Sequence, residues 1–180
     1  MGRIIGSFVL SCALAAAGAT YAQIVVLKSP PITKANEVYV KPFDPLRLVG
    51  NVYYVGTYDL AVYLIVTPAG NILVNTGVND SAGQIIASIE KLGFKFSDIK
   101  LLLATHGHWD HVGDAVEIGK KTGAILVAPY GLQFNMKAVL GYPEAQATLA
   151  TGGNVGGTIA LPNGDRPRAS PTIAIVFAVN

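Results

Sequence analysis

Cysteine is almost absent from this chain of 180 residues, with Cys12 the only one. Because Cys12 lies in an apolar leader, the rest of the chain has neither a disulfide nor a thiolate metal ligand, and its stability must come from packing. Charge is also sparse. Charged residues make up 13% of the sequence, 13 basic against 11 acidic, and the basic ones are scattered. That removes the cationic patch a nucleic-acid partner needs. No apolar run reaches the roughly 20 residues of a bilayer-spanning helix, so stable membrane insertion is not expected. No segment of supersecondary length recurs, which excludes solenoids and propellers. Histidine is the last scarcity, and the most informative one: there are three, all between positions 106 and 111.

The leader has the shape of a secretory signal. Arg3 precedes apolar residues 4–17, and Thr20-Tyr21-Ala22 before Gln23 forms a small-residue cleavage site. A lipid-modified Cys12 fits less well, because the apolar run continues past it. Residues 1–22 are therefore read as a signal peptide, and the mature chain as secreted or periplasmic. Residues 23–45 contain Pro30, Pro31 and Pro42 without a sustained period, as expected of an extended arm over the surface. One domain follows from residue 46 to 180.

Thr105-His106-Gly107-His108-Trp109-Asp110-His111 places four potential metal ligands within six residues, directly after the apolar run Leu101-Leu102-Leu103-Ala104. Imidazole and carboxylate are ligands that zinc and other borderline metals prefer, and a buried strand is a rigid way to deliver them. A lone histidine here would be an ordinary surface or capping residue. Three imidazoles and a carboxylate crowded at one strand end instead repel one another when protonated and lose solvation when buried, unless a cation organises them. The pattern reads as a metal centre.

His-x-His-x-Asp-His after an apolar strand resembles the signature of the metallo-β-lactamase superfamily. Upstream, residues 42–56 and 64–77 resemble the opening strands of the secreted subclass-three β-lactamases. Downstream, residues 113–124 and 154–159 are more similar to the superfamily's general metal-dependent hydrolases. The resemblance implies a mixed α/β (α+β) fold, the αββα sandwich, with residues 46–180 supplying its N-terminal half and the domain incomplete at the C-terminus. It implies one or two zinc ions, with His106 and His108 on the first and Asp110 and His111 on the second. A bridging hydroxide would be the nucleophile, and Asp110 the catalytic residue that orients it and relays its proton. The implied function is zinc-dependent hydrolysis of a small-molecule substrate, with β-lactams among the candidates.

The elements follow from local pattern. Residues 47–49 and 52–55 around Gly50-Asn51 signal a hairpin, and residues 61–67 turn at Pro68-Ala69-Gly70 into residues 72–74, an antiparallel meander. Asp80-Ser81 is expected to cap a helix with Ile85, Ile86, Ile89 and Leu92 on its apolar face and Gly93 as its stop. Residues 101–104 are apolar throughout, which predicts a strand covered on both faces and the histidines in the loop beyond it. A second helix is predicted over 112–122, a buried strand over 125–127, and a third helix over 131–140 with Phe134, Met136 and Val139 as core contacts. The β-α-β order implies helices packed outside a central sheet. Residues 151–157 are rich in glycine but lack the Lys-Ser/Thr ending of a phosphate loop, so they read as a turn before strands at 158–161 and 173–177.

Two departures from the family pattern bear on activity. No histidine follows His111, whereas the family supplies at least one later histidine per zinc, so each ion would keep two protein ligands where a catalytic zinc normally has three. Asn180 stands near where related hydrolases carry their next histidine, and Asp165 is another distant donor. The second departure is Asn75, where the family usually has aspartate before Thr-Gly. An amide keeps the shape and the hydrogen bonds but loses the charge. Asp114 is read as a helix-start residue rather than a metal contact. These departures imply weak metal binding, down to a single ion shared by His106, His108 and His111. They also leave a second reading, a non-catalytic metal-binding remnant or partner protein. About 158 residues remain after signal removal, short for a two-sheet hydrolase of which each half needs about 100. An uncovered apolar sheet face would then favour self-association.

Overall fold

The structure, a computed structural model, describes residues 29–148, 152–153, 158–160 and 174–176. The predicted signal peptide, Asp165 and Asn180 lie outside the described residues.

Seven strands form one sheet in the order β1 to β7: Leu46–Val49, Val52–Tyr54, Tyr63–Ile65, Asn71–Val74, Ile99–Leu103, Ile125–Pro129 and Gly152–Gly153. The first four are antiparallel, as the meander predicts, with Gly50 at φ 53° making the β1–β2 turn. From β4 onward the pairing is parallel, because helices intervene between the strands. Helix α1 is Ala82–Lys91, α2 Trp109–Val112, α3 Ala115–Thr122 and α4 Tyr130–Ala138. Strands β8 (Thr158–Ala160) and β9 (Ala174–Val176) pair antiparallel in a separate two-stranded sheet. The glycine-rich segment expected as a turn contributes Gly152–Gly153 as a strand instead, paired parallel to the end of β6.

Register decides which residues form the core. Leu64, Leu73, Leu102 and Leu126 lie opposite one another across four strands, and all are fully buried. They pack in one cluster with Ile85 and Ile89 of α1, Ala115 and Ile118 of α3 and Met136 of α4. Fully burying each leucine contributes about 1.5–3 kcal/mol, which makes this row the main stabilising layer. The other face carries the alternate residues Tyr63, Val74, Leu103 and Val127 in one row and Ile65, Ile72, Leu101 and Ile125 in the next. Only Ile72 and Val127 of these are buried. The expectation that β5 is covered on both faces therefore holds fully only on the helix side: Leu102 and Ala104 are buried, Leu101 and Leu103 half-buried. The continuous apolarity of β5 does not reveal that asymmetry, since both rows use the same residue types.

Three local expectations change. The helix predicted over 112–122 is split: α2 already includes Asp110 and His111, and the chain passes through Gly113 and Asp114 before α3 begins. A Cβ on Gly113 would lie 2.5 Å from Asn79 N and Val78 C, so glycine is what lets the chain pass there. Ser81 occupies the N-cap position of α1 but makes no side-chain cap bond; the carboxylate of Asp114 serves instead, accepting from the amides of Asp80 (3.0 Å) and Ala82 (2.6 Å). Finally, Phe134, expected in the core, is 58% exposed, because α4 turns Gln133 and Met136 inward.

Helix α3 is held close to Tyr142, whose hydroxyl donates to the Ala124 carbonyl at 2.9 Å and whose ring would lie 2.5 Å from a Cβ on Gly119. Burial raises the Tyr142 phenol well above its usual range. Gly119→Ala should lower stability by about 1–3 kcal/mol through overpacking, despite alanine's better helix propensity. Gly83→Ala in α1, where a Cβ meets nothing within 4 Å, should instead raise stability by about 0.5–1 kcal/mol. Urea denaturation of the two variants checks the opposed signs.

Candidate metal centre

Both loops of the site leave the carboxyl ends of neighbouring parallel strands, the place where open α/β sheets bind ligands. The loop after β4 carries Asn75 to Ser81, and the loop after β5 carries Thr105 to Asp114. They are stitched together along their length. The Thr76 amide and hydroxyl both donate to the His111 carbonyl, at 2.9 and 3.1 Å. The Gly113 amide donates to the Gly77 carbonyl at 3.0 Å, and Asn79 Nδ2 to the Gly113 carbonyl at 2.8 Å. Asp114 closes the series on α1. Its carboxyl is pushed up by burial and held down in part by the amides of Ala82, Asp80 and Ser81.

At the head of the series, Asn75 adopts φ 62°, a left-handed conformation that asparagine tolerates better than most residues. Its Oδ1 accepts from the Thr105 amide at 3.1 Å and lies 3.0 Å from Thr105 Oγ1. Thr105 Oγ1 in turn lies 3.1 Å from His106 Nδ1.

His106 and His108 sit in the loop as expected, and Asp110 and His111 lie on the single turn α2. His106 Nε2 faces His108 Nδ1 at 3.1 Å. Two nitrogens about 2.0–2.1 Å from one tetrahedral ion would be about 3.3 Å apart, so this pair fits a shared metal. The His106 and His111 rings are 3.9 Å apart, and His111 Nε2 is 3.4 Å from Asp110 Oδ2. His111 Nδ1 is buried and has no hydrogen-bond partner among the described residues. Yet among the described residues no three histidine, cysteine or carboxylate side chains are arranged to hold one ion. The structure thus brings His106 and His108 together and sets Asp110 and His111 beside them, without joining all four around one point. Trp109 packs against Tyr39 of the arm, with centroids 5.7 Å apart. Ser29 and Asn79 exchange hydrogen bonds at 3.1 and 2.9 Å, which ties the arm to the same loops.

The local pattern marks the four candidate ligands but neither Thr105 as a bridge nor Asp114 as a cap for α1. Thr105 left one signal, its place immediately before the first histidine. The Asp114 contact spans 32 to 34 residues and leaves none.

The sequence profile of the metallo-β-lactamase superfamily matches residues 56–176. A UPF0173 metal-dependent hydrolase of Anaeromyxobacter sp. (strain K) is 39% identical over 102 residues, 57% of this chain and 36% of the relative. Another, from Thermodesulfovibrio yellowstonii, is 36% identical over 113 residues, 60% of this chain and 40% of its own. Among solved structures, a class B3 di-zinc metallo-β-lactamase from an Alaskan soil metagenome is 51% identical with a TM-score of 0.57, covering 61% of this chain and 41% of that one. The subclass B3 enzyme of Bradyrhizobium japonicum is 40% identical with a TM-score of 0.60, covering 71% and 51%. The chain spans well under half the length of these curated relatives and about half that of the solved structures.

Burial holds the His111 imidazole below its usual pKa, with His106 and His108 adding to the effect and Asp110 opposing it. Its folded pKa lies below the unfolded value of 6.5, so its stability contribution is present above 6.5 and is lost as pH falls towards the folded value. Metal-free protein should lose stability as pH falls through the unfolded value of 6.5 towards the folded one, and His111→Gln should flatten that dependence. Guanidinium titrations across this range decide it, and equal slopes for the two proteins would contradict the assignment.

Proposed function

This chain belongs to the metallo-β-lactamase superfamily, and from that premise we propose that it is an exported zinc-dependent hydrolase acting on a small-molecule amide or ester, β-lactams included. The observation that carries the reading is the facing pair of His106 Nε2 and His108 Nδ1 at 3.1 Å, held at the carboxyl ends of parallel strands. The relatives named metal-dependent hydrolases and the di-zinc B3 enzyme support the same chemistry. His106 and His108 would hold one ion, and Asp110 and His111 a second. When bound, zinc lowers the pKa of water to about 7 and polarises the attacked carbonyl oxygen. Asp110 orients the attacking water and accepts its proton on a carboxylate oxygen.

The test is to load the purified mature chain with zinc, count the bound ions by elemental analysis, and assay a chromogenic β-lactam, an ester and a phosphodiester. Hydrolysis of at least one amide or ester is expected to disappear with chelator and return with zinc, and Asp110→Asn to lower kcat by about 10²–10⁴-fold. Bound zinc without turnover on any substrate would replace the enzyme by a non-catalytic metal-binding protein. No bound zinc would overturn both.

Export is part of the same proposal, motivated by Arg3, apolar residues 4–17 and the site before Gln23. Mass spectrometry of protein recovered from its host should find Gln23 at the amino terminus in a periplasmic or secreted fraction. Intact Met1 in a cytosolic fraction would contradict it.

A further inference from the structure

We propose that Asn75 is a positioning residue which, acting through Thr105, sets the direction of a hydrogen-bond chain running Asn75–Thr105–His106–His108 and so keeps His106 Nε2 free of its proton. The proposal rests on the reading of His106 and His108 as metal ligands, but the proton positions it specifies are properties of the metal-free protein.

The direction follows from donor counting. The Thr105 backbone amide can only donate, and its contact at 3.1 Å is to Asn75 Oδ1, which fixes the orientation of the Asn75 amide with oxygen towards Thr105. Thr105 Oγ1 lies 3.0 Å from the same oxygen, a pure acceptor with two lone pairs, so the hydroxyl proton must point at Asn75. That hydroxyl has one proton. Its contact with His106 Nδ1 at 3.1 Å can then be satisfied in one way, with His106 Nδ1–H donating to Thr105 Oγ1. A neutral imidazole with Nδ1 protonated has a lone pair on Nε2, the atom aimed at His108. His108 Nδ1 lies 3.1 Å from it and must therefore carry the donated proton.

In the metal-free protein the His108 Nδ1 proton thus occupies the direction a cation would take, bridging the two nitrogens in its place. Two consequences differ between the histidines. His106 presents its ligating lone pair before any metal arrives. His108 must shift its proton from Nδ1 to Nε2 when Nδ1 takes a metal, and as its ring is solvent-exposed, Nε2 can take that proton from water. The chain requires an acceptor at position 75 rather than a charge, so the amide suffices where the resemblance led to an expectation of aspartate.

Long-range ¹H–¹⁵N correlation spectra of the histidine rings, recorded on the full mature chain at a pH above imidazole titration, read the tautomers directly. The expected wild-type pattern is His106 protonated at Nδ1 and His108 at Nδ1 without metal, with His108 moving to Nε2–H on zinc addition while His106 stays unchanged. Asn75→Gly keeps the left-handed backbone accessible and removes the acceptor; Thr105→Val removes the hydroxyl at an exposed position and carries the test should Asn75→Gly fail to fold. Each should mix the His106 tautomers and weaken zinc binding, measured by chelator competition, by about 10- to 100-fold. Asn75→Asp and Thr105→Ser, which keep the acceptor and the hydroxyl, should retain the wild-type pattern. A metal-free His106 protonated at Nε2, or a Thr105→Val protein with unchanged tautomers and zinc affinity, would overturn the proposal. A protein that binds no zinc yet shows His106 protonated at Nδ1 would support the chain while sinking the metal reading.

Discussion

Everything at the site depends on the parallel pairing of β4 with β5. Val74 lies beside Leu103 in that pairing, so the two strands end level and release their loops from the same edge of the sheet. A one-residue slip of either strand would move its leucine, Leu73 or Leu102, off the helix-covered face, at a cost of about 1.5–3 kcal/mol. The hydrophobic core therefore holds the register, and the register places Asn75 against Thr105. Packing within the sheet thus sets where the candidate ligands start.

Beyond the strand ends, hydrogen bonds replace packing as the organising force. Between Asn75 and Asp114 the two loops satisfy many of each other's polar groups: Thr76 with His111, Gly77 and Asn79 with Gly113, Asp80 and Ala82 with Asp114. Such bonds contribute about 0.5–1.5 kcal/mol each, but a buried donor left unpaired costs about 1–3 kcal/mol, so the loops resist separating more strongly than the individual bonds suggest. Gly113 makes the close approach possible by leaving no Cβ against residues 77–79. Because His111 contributes its own carbonyl to this lattice, a candidate ligand and the loop that braces it are parts of one structure.

The crowding of the three imidazoles gives that lattice work to do. The His106 and His111 ring centroids are 3.9 Å apart with the rings tilted by 49°, and burial and mutual repulsion favour the neutral form of His111, the form in which imidazole binds a metal. Asp110 counters this in part. With the neutral form of His111 favoured, Asp110 beside it and the His106–His108 nitrogen pair at 3.1 Å, this edge gathers donor atoms of the kind a cation would use. The arm adds to the enclosure, with Tyr39 on Trp109 and Ser29 on Asn79 joining distant parts of the chain at this edge.

The sequence by itself marked the candidate ligands and determined the elements that carry them. The His106–His111 cluster, the apolar residues 101–104, the meander around Gly50 and Pro68-Ala69-Gly70, and the helical spacing of Ile85 and Ile89 are all local patterns, legible because period and turn chemistry are properties of adjacent residues. Tertiary structure alone decided what those patterns face. Asp114 stands at the start of its own helix as the pattern indicates, but its carboxylate caps α1; the helix over 112–122 is interrupted where Gly113 meets residues 77–79, and Phe134 points outward although Met136 beside it in the pattern is core. Thr105 and Asn75 gained their roles only by being brought together across 30 residues. Contacts of that range depend on strand register and on which polar groups folding leaves without water, and neither is written in the spacing of any one segment.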